Sequence, residues 1–378
     1  MENSILTNNI SIKKERNYGI DALRLISMLM VVILHVLGFC GVLQAVTDFT
    51  LKGELLHSLQ ILCYGAVNIY AIISGFVGYR SSHKGSNLIY LSIQLLFFSL
   101  VITGIDLGVM INQGAAVSAK DVFFNVFSSI KMHWYFSAYF CLFFFMPLLD
   151  KMIEHTPRKI LKGTALFCFI VFCGFTQFNT QVAYLQGGYS FLWLALLYAL
   201  GAYISKYQPL KRWSALHCAL GFFACSAITI LSRFFVYALT QSSLVGAEKI
   251  NILVSYTSPT VLLGAIFLVC AFSKIRFKHS APKKIVAFLC PMAFGVYLIH
   301  CHPIVAEKLT GAFAWIGGLS AWLVVPAVLG VGMAVFCICL FIDWIRLLLF
   351  KLFKIKELSC LISRLIKKLV DKMLKNNE

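Results

Sequence analysis

Apolar runs of about 18 residues or more recur from one end of this 378-residue chain to the other. Each is long enough to cross a bilayer as a helix. In hydrocarbon every backbone N–H and C=O must be satisfied within the structure itself, so such runs fold as helices. Hydrophobic residues make up 60% of the chain and charged residues only 13%. Soluble domains run at roughly 45–50% and about 25%. The imbalance excludes an ordinary soluble enzyme, a disordered chain and a fibrous repeat.

The expected fold class is therefore all-α: a polytopic integral membrane protein of about ten transmembrane helices. The spans read as 20–41, 56–79, 87–110, 134–150, 159–176, 189–206, 213–238, 251–273, 286–304 and 318–348. Residues 1–19 form a polar, basic leading segment, 20–348 the membrane domain and 349–378 a basic tail. The leading segment lacks the short apolar core and small-residue cleavage site of a signal peptide.

Formal net charge is +18. A basic surplus can mean nucleic acid, but here the basic residues are spread over many loops, and a nucleic-acid partner is not expected. With the N-terminus inside, 26 of the 33 Lys and Arg residues fall in inner segments or at the inner ends of the spans. The positive-inside rule then puts both termini in the cytoplasm, and the plasma membrane is the expected location. In the tail, Ile355, Leu358, Ile362, Leu365, Ile366, Leu369 and Met373 recur at helical spacing, with Lys356, Arg364, Lys367, Lys368 and Lys372 mostly at the other positions. That pattern suits a helix lying on the inner leaflet of the lipid bilayer. The 13 cysteines form no CxxC pair and are odd in number, so no disulfide framework or zinc site is implied. Neither an internal repeat nor a matched pair of broken helices points to a transporter.

An ionisable residue inside a span is costly and becomes a functional candidate. The first span holds Asp21, Arg24 and His35. At 100° per residue Asp21 and Arg24 share a sector, and His35 returns to that face about 16 Å further along. Asp21 and Arg24 can pair at i, i+3; a snorkelling arginine with its partner and a packed histidine is the plain alternative. The second span carries Ser74 and Gly75, then Arg80 and Lys84. Ser-Gly is ordinarily a close helix contact, and the two cations either meet phosphates or merely obey charge bias. His133-Trp134-Tyr135 opens the fourth span, as an aromatic belt or something more. The ninth span holds Tyr297, His300 and His302. His300 and His302 are two apart and do not share a helix face, so a metal site there is poor on geometry. Asp106 and Asp343, near span ends, are expected to be solvated or snorkelled.

The segments YGIDALRLISMLMVVILHV, GAVNIYAIISGFVGYR, HWYFSAYFCLFFFMPLLDKM and FGVYLIHCHPI resemble, in order, the first helix, the Ser-Gly-aromatic helix, the fourth-helix motif and the closing Tyr-Leu-Ile-His motif of the acyltransferase-3 family. Together they cover roughly residues 18–305. Departures are Tyr135 in place of the usual Phe, Ser137 near a usually apolar position, and Lys84 where a further arginine is common. No esterase-like domain follows, so transfer would be completed by the membrane part alone or with a partner.

The resemblance implies transfer of an acyl group, most often acetyl, from cytoplasmic acyl-CoA to a hydroxyl of a carbohydrate acceptor such as exopolysaccharide or another cell-surface glycan. It implies no metal. His35 would act as base and Arg24, fixed by Asp21, would orient the donor. Arg80 and Lys84 would meet CoA phosphates, while Ser74 and Gly75 would allow close approach. His133, Trp134 and Tyr135, with Tyr297 and His300, would line the acceptor side. The rivals are a glycan or glycolipid transporter or flippase, and a non-catalytic membrane sensor on the same fold. The sequence leaves the oligomeric state open.

Overall fold

A computed structural model describes residues 16–179 and 184–375; Lys13 and Lys14 of the leading segment lie outside them. Helices α1 to α5 are Tyr18–Leu37, Leu51–Tyr64, Ala66–Gly78, Gly85–Asn112 and Ala119–Met132. Helices α6 to α10 are Trp134–His155, Arg158–Cys168, Phe191–Tyr207, Ala215–Gln241 and Pro259–Ser273. Helices α11 to α15 are Ser280–Leu289, Ala293–His300, Pro303–Leu309, Ala321–Leu352 and Ile355–Lys375. There is no strand among the described residues.

Among the described residues, eight helical stretches are long and apolar enough to span a membrane, and this is a multi-pass membrane protein. Two further expected spans are shorter apolar helices, Phe191–Tyr207 and Pro259–Ser273. The stretch Leu51–Gly78 is one span with a joint at Gly65 between α2 and α3. Polar side chains start several helices by accepting an otherwise orphaned backbone N–H. Asn17 does so for α1, Thr50 for α2, Ser190 for α8 and Ser214 for α9. Ser118 and Asp121 form a reciprocal capping box on α5.

Burial ranks the helices. In α1 61% of the apolar window is inside the protein, against 17% for the stretch Arg158–Gln177 that contains α7. Accordingly α1 packs against α2, α3, α10, α11, α12 and α14. Its ionisable residues thus face protein on most sides. The closest crossing is α3 on α8. A Cβ at Gly75 would strike the carbonyl of Tyr198, and one at Gly201 the carbonyl of Ile72. Small residues let helix backbones approach in a membrane, where packing rather than hydrophobicity drives association.

Cross-links sort the loops to two ends. At one end Arg80 pairs with Glu154 (3.1 Å), Lys206 donates to the carbonyl of Ile153 (2.7 Å), Lys274 to that of Leu210 (2.8 Å) and Asn17 to that of Ser273 (2.9 Å). At the other, Lys52 donates to the carbonyl of Gly317 (2.7 Å) and Lys308 pairs with Asp106 (2.5 Å).

Two buried charges rest on partners from distant segments. Arg233 lies within the span expected at 213–238. Because α9 runs on to Gln241, its side chain is buried, bonded to Glu54 at 2.9 Å and to Asn251. Asp343 is not solvated. It is fully buried, holds Arg346 one turn on at 2.5 Å, and accepts from Gln94 at 3.1 Å. A buried charge persists only when paired and hydrogen-bonded, and Tyr90 completes this set through Arg346 Nη1 (2.9 Å).

Candidate active site

The chemistry starts from the first turn of α1. Buried Asp21 accepts from Arg16 Nε (2.6 Å), Arg24 Nη1 (3.2 Å) and the Cys290 thiol (3.7 Å). The carboxylate in turn raises the pKa of Arg16, chiefly through that hydrogen bond. The Tyr70 hydroxyl donates to the carbonyl of Arg24 (2.7 Å), locking α3 to α1 at this level.

These groups line a cavity of about 880 Å³, within the range typical of small-molecule sites. Arg16, Asp21, Arg24, Ser74, Arg80 and Tyr135 all contribute to its wall, as do Tyr70 and Tyr139. Residues singled out on three different helices therefore meet at one space, at the end of the bundle where the Arg80–Glu154 pair lies.

Two of the donor-side residues do not line it. Gly75 faces the α3–α8 crossing, where a Cβ would meet the carbonyl of Tyr198. Lys84 is exposed at the start of α4, outside the cavity wall. Arg80 sits in a left-handed turn (φ 60°) with its guanidinium on Glu154. Ser74 does line the cavity, and its hydroxyl donates to the carbonyl of Tyr70 (2.9 Å).

Further along α1, His35 meets His300 of α12: Nδ1 of the first lies 2.9 Å from Nε2 of the second. The partners fix the tautomers. His300 Nδ1 faces the carbonyl of Val296 (2.5 Å), an acceptor, and must carry the proton. In a neutral ring, Nε2 of His300 is then the acceptor, so His35 Nδ1 is the donor. That leaves Nε2 of His35 with its lone pair, the form a general base requires.

Cys301 Sγ lies 3.6 Å from His35 Nδ1 and 3.4 Å from His300 Nε2. His35, His300 and Cys301 thus offer three ligand atoms within 4.8 Å of one another, the grouping among the described residues that could hold a metal ion. His35 and His300 come from positions 265 apart. Spacing within one helix carries no signal of that contact.

Of the residues expected on the acceptor side, His133 and Tyr135 gather around Tyr297, and Trp134 does not. Buried His133 faces the carbonyls of Ser129 (2.6 Å) and Leu298 (3.2 Å), and its ring meets Tyr297 edge-on at 5.2 Å. Tyr297 in turn lies 6.4 Å from Tyr135. Trp134 turns the other way and packs on Tyr189 (4.7 Å), which continues to Tyr256 (5.0 Å) and then Tyr64 (5.2 Å). Asn68 holds that aromatic row, donating to the carbonyl of Tyr256 (2.7 Å) and accepting from Trp193 (3.0 Å). Tyr189 and Tyr256 fall within the spans expected at 189–206 and 251–273 but stand just ahead of the helices themselves, and no spacing within one segment relates them to Trp134.

A sequence reading also misses His83, which pairs with Asp150 (2.9 Å) while Tyr198 donates to the other oxygen of that carboxylate (3.0 Å). This trio ties the turn bearing Arg80 to α6 and α8.

A helical membrane protein with an arginine-bearing cavity and, further along its first helix, a hydrogen-bonded histidine pair is the class defined by this fold and site. A family model described as an acyltransferase domain matches residues 17–344. The chain belongs to the acyltransferase-3 family, and it is an acyltransferase. Searches of curated proteins and of solved structures find no match.

Proposed function

We propose that this enzyme moves an acyl group, most simply acetyl, from cytoplasmic acyl-CoA to a hydroxyl of a cell-surface glycan, working in the plasma membrane as a membrane-bound O-acyltransferase. The observation that carries the reading is the His35–His300 hydrogen bond, with Val296 behind it, which leaves Nε2 of His35 free to accept a proton.

A hydroxyl is a weak nucleophile near neutral pH and needs a base within hydrogen-bond reach. His35 Nε2 takes the hydroxyl proton as the oxygen attacks the thioester carbonyl carbon. The carbon–sulfur bond then breaks, and the departing thiolate recovers the proton as CoA thiol. The product is an ester on the sugar, and no other reactant is needed. Arg24, held by Asp21, keeps positive charge beside the donor, where it favours an anionic ligand. The aromatic row from Trp134 through Tyr189 to Tyr256 offers flat apolar faces of the kind on which sugar rings stack.

The test is mass spectrometry of cell-surface glycans from cells with and without the gene, repeated with His35→Ala protein inserted at normal levels. The expected result is loss of one acyl mass in both the deletion and the variant. Acylation that persists with His35→Ala removes the base assignment. Unmodified glycan retained inside the deletion strain would instead mark a transporter.

A further inference from the structure

A second cavity, of about 550 Å³, lies beside the first and shares Arg16, Asn17 and Phe76 with it. Its wall also carries Lys211, Lys274, Arg276 and Lys283, with no carboxylate. The contrast with the first cavity is in charge balance. There Arg16 and Arg24 are both on Asp21, and Arg80 is on Glu154. None of Lys211, Lys274, Arg276 or Lys283 has an ion-pair partner among the described residues.

The cleft is also built rather than accidental. Lys274 is tethered to the carbonyl of Leu210 (2.8 Å), and Arg276 to those of Ser273 (2.8 Å) and Ile275 (3.3 Å). Asn17, on the shared wall, donates to the Ser273 carbonyl as well (2.9 Å). Two separate connections, 208–214 and 274–279, therefore converge their cations on the mouth of α1. Like charges held together in a concave wall repel one another and create a strong field for an anion. A polyanion between them relieves that repulsion and gains charge-assisted hydrogen bonds.

We infer that this cleft binds the phosphate groups of the acyl donor, while the neighbouring cavity takes its uncharged arm and delivers the thioester past Arg24. The inference rests on the proposed acyl-CoA donor. It moves the phosphate contacts from Arg80 and Lys84 to Lys211, Lys274, Arg276 and Lys283. Arg16, on the shared wall and already bound to Asp21, marks the junction of the two spaces.

The experiment uses the full chain in phosphatidylcholine nanodiscs and measures equilibrium binding of CoA and of pantetheine. The variant is Lys211→Gln/Arg276→Gln/Lys283→Gln; the control, equal in charge change but remote, is Lys151→Gln/Lys159→Gln/Lys162→Gln. CoA affinity is expected to fall at least about tenfold in the variant and less than about twofold in the control. Pantetheine affinity should not change in either. Equal CoA binding by variant and control overturns the cleft while leaving the donor reading intact. A wild-type protein that binds no CoA overturns the donor reading itself, and the cleft assignment with it. Repeating the measurement with phosphatidylglycerol separates the other source of phosphate. Loss of that lipid from the variant, with CoA affinity unchanged, would make the cleft a headgroup site and overturn the proposal.

Discussion

His35 Nδ1 and His300 Nε2 lie 2.9 Å apart, joining the first helix to the short helix α12. The second histidine, itself anchored to Val296, sets which nitrogen of the first is free. His300→Gln and His300→Ala therefore separate its two possible contributions. An amide oxygen can accept from His35 Nδ1, and a methyl cannot. His35→Ala is expected to lower the turnover of acyl transfer by about 10²–10⁴-fold, the usual worth of a general base. His300→Ala should lose roughly tenfold through the unset tautomer, and His300→Gln should recover most of that. Initial rates at matched protein levels check this. A His300→Gln variant no better than His300→Ala would mean that the contact is packing alone.

Chelation offers a second, independent check on the same cluster. The distances among His35, His300 and Cys301 are met by hydrogen bonds between neutral groups. Activity is therefore expected to survive prolonged treatment with 1,10-phenanthroline, and elemental analysis to find less than one metal ion per chain. Loss of activity restored by zinc would reverse this.

Buried Asp343 and Arg346 make a stability prediction. Asp343→Leu leaves an uncompensated cation and should cost about 3–5 kcal/mol. The pair Asp343→Leu/Arg346→Met removes both charges and should regain most of the loss. Gly295→Ala attacks the same place from α12, since the new Cβ would collide with the Asp343 carboxylate. Thermal unfolding in detergent, followed by tryptophan fluorescence, ranks the three. A double variant as unstable as the single would place the cost in Gln94 or in packing rather than in the orphaned charge.

Adjacent Ser74 and Gly75 should part company on mutation. Ser74→Ala loses one back-bond to Tyr70 and should leave the folded yield within about 0.5 kcal/mol of wild type. Gly75→Ala drives a methyl into the Tyr198 carbonyl across the tightest helix crossing and should cost more than about 2 kcal/mol. Detergent-solubilised yield and melting temperature report the difference. Equal behaviour would show that the crossing yields more easily than its geometry implies.

The sequence carries the elements well because apolar length and charge bias are local properties. The Asp21–Arg24 pairing is equally local and is legible as an i, i+3 spacing. What escapes is whatever joins distant segments. Nothing near Arg233 in the chain announces Glu54, which lies 179 positions away. Nothing near Asp343 announces Gln94, at 249. The Ser-Gly step reads ambiguously because close approach to a ligand and close approach to a helix both need a missing side chain. Only the fold shows that Gly75 meets the Tyr198 carbonyl of α8. The aromatic row through Tyr189 and Tyr256 stays hidden because its members come from separate segments, and no spacing within one of them relates it to the others.

Helix α15 divides along its length. Its first turns are seated on α4: Ser359 is buried, and Ser363 reaches the start of α4 at Gly85. Beyond them Leu365, Leu369 and Met373 are 51%, 62% and 68% exposed. For anyone preparing the protein, residues up to about 363 are part of the folded body, and a boundary drawn at the end of α14 would unroof α4. A tag appended after the last turn, by contrast, leaves the seated half untouched, and the bare leucine stripe beside it calls for detergent even when the spans themselves are well covered.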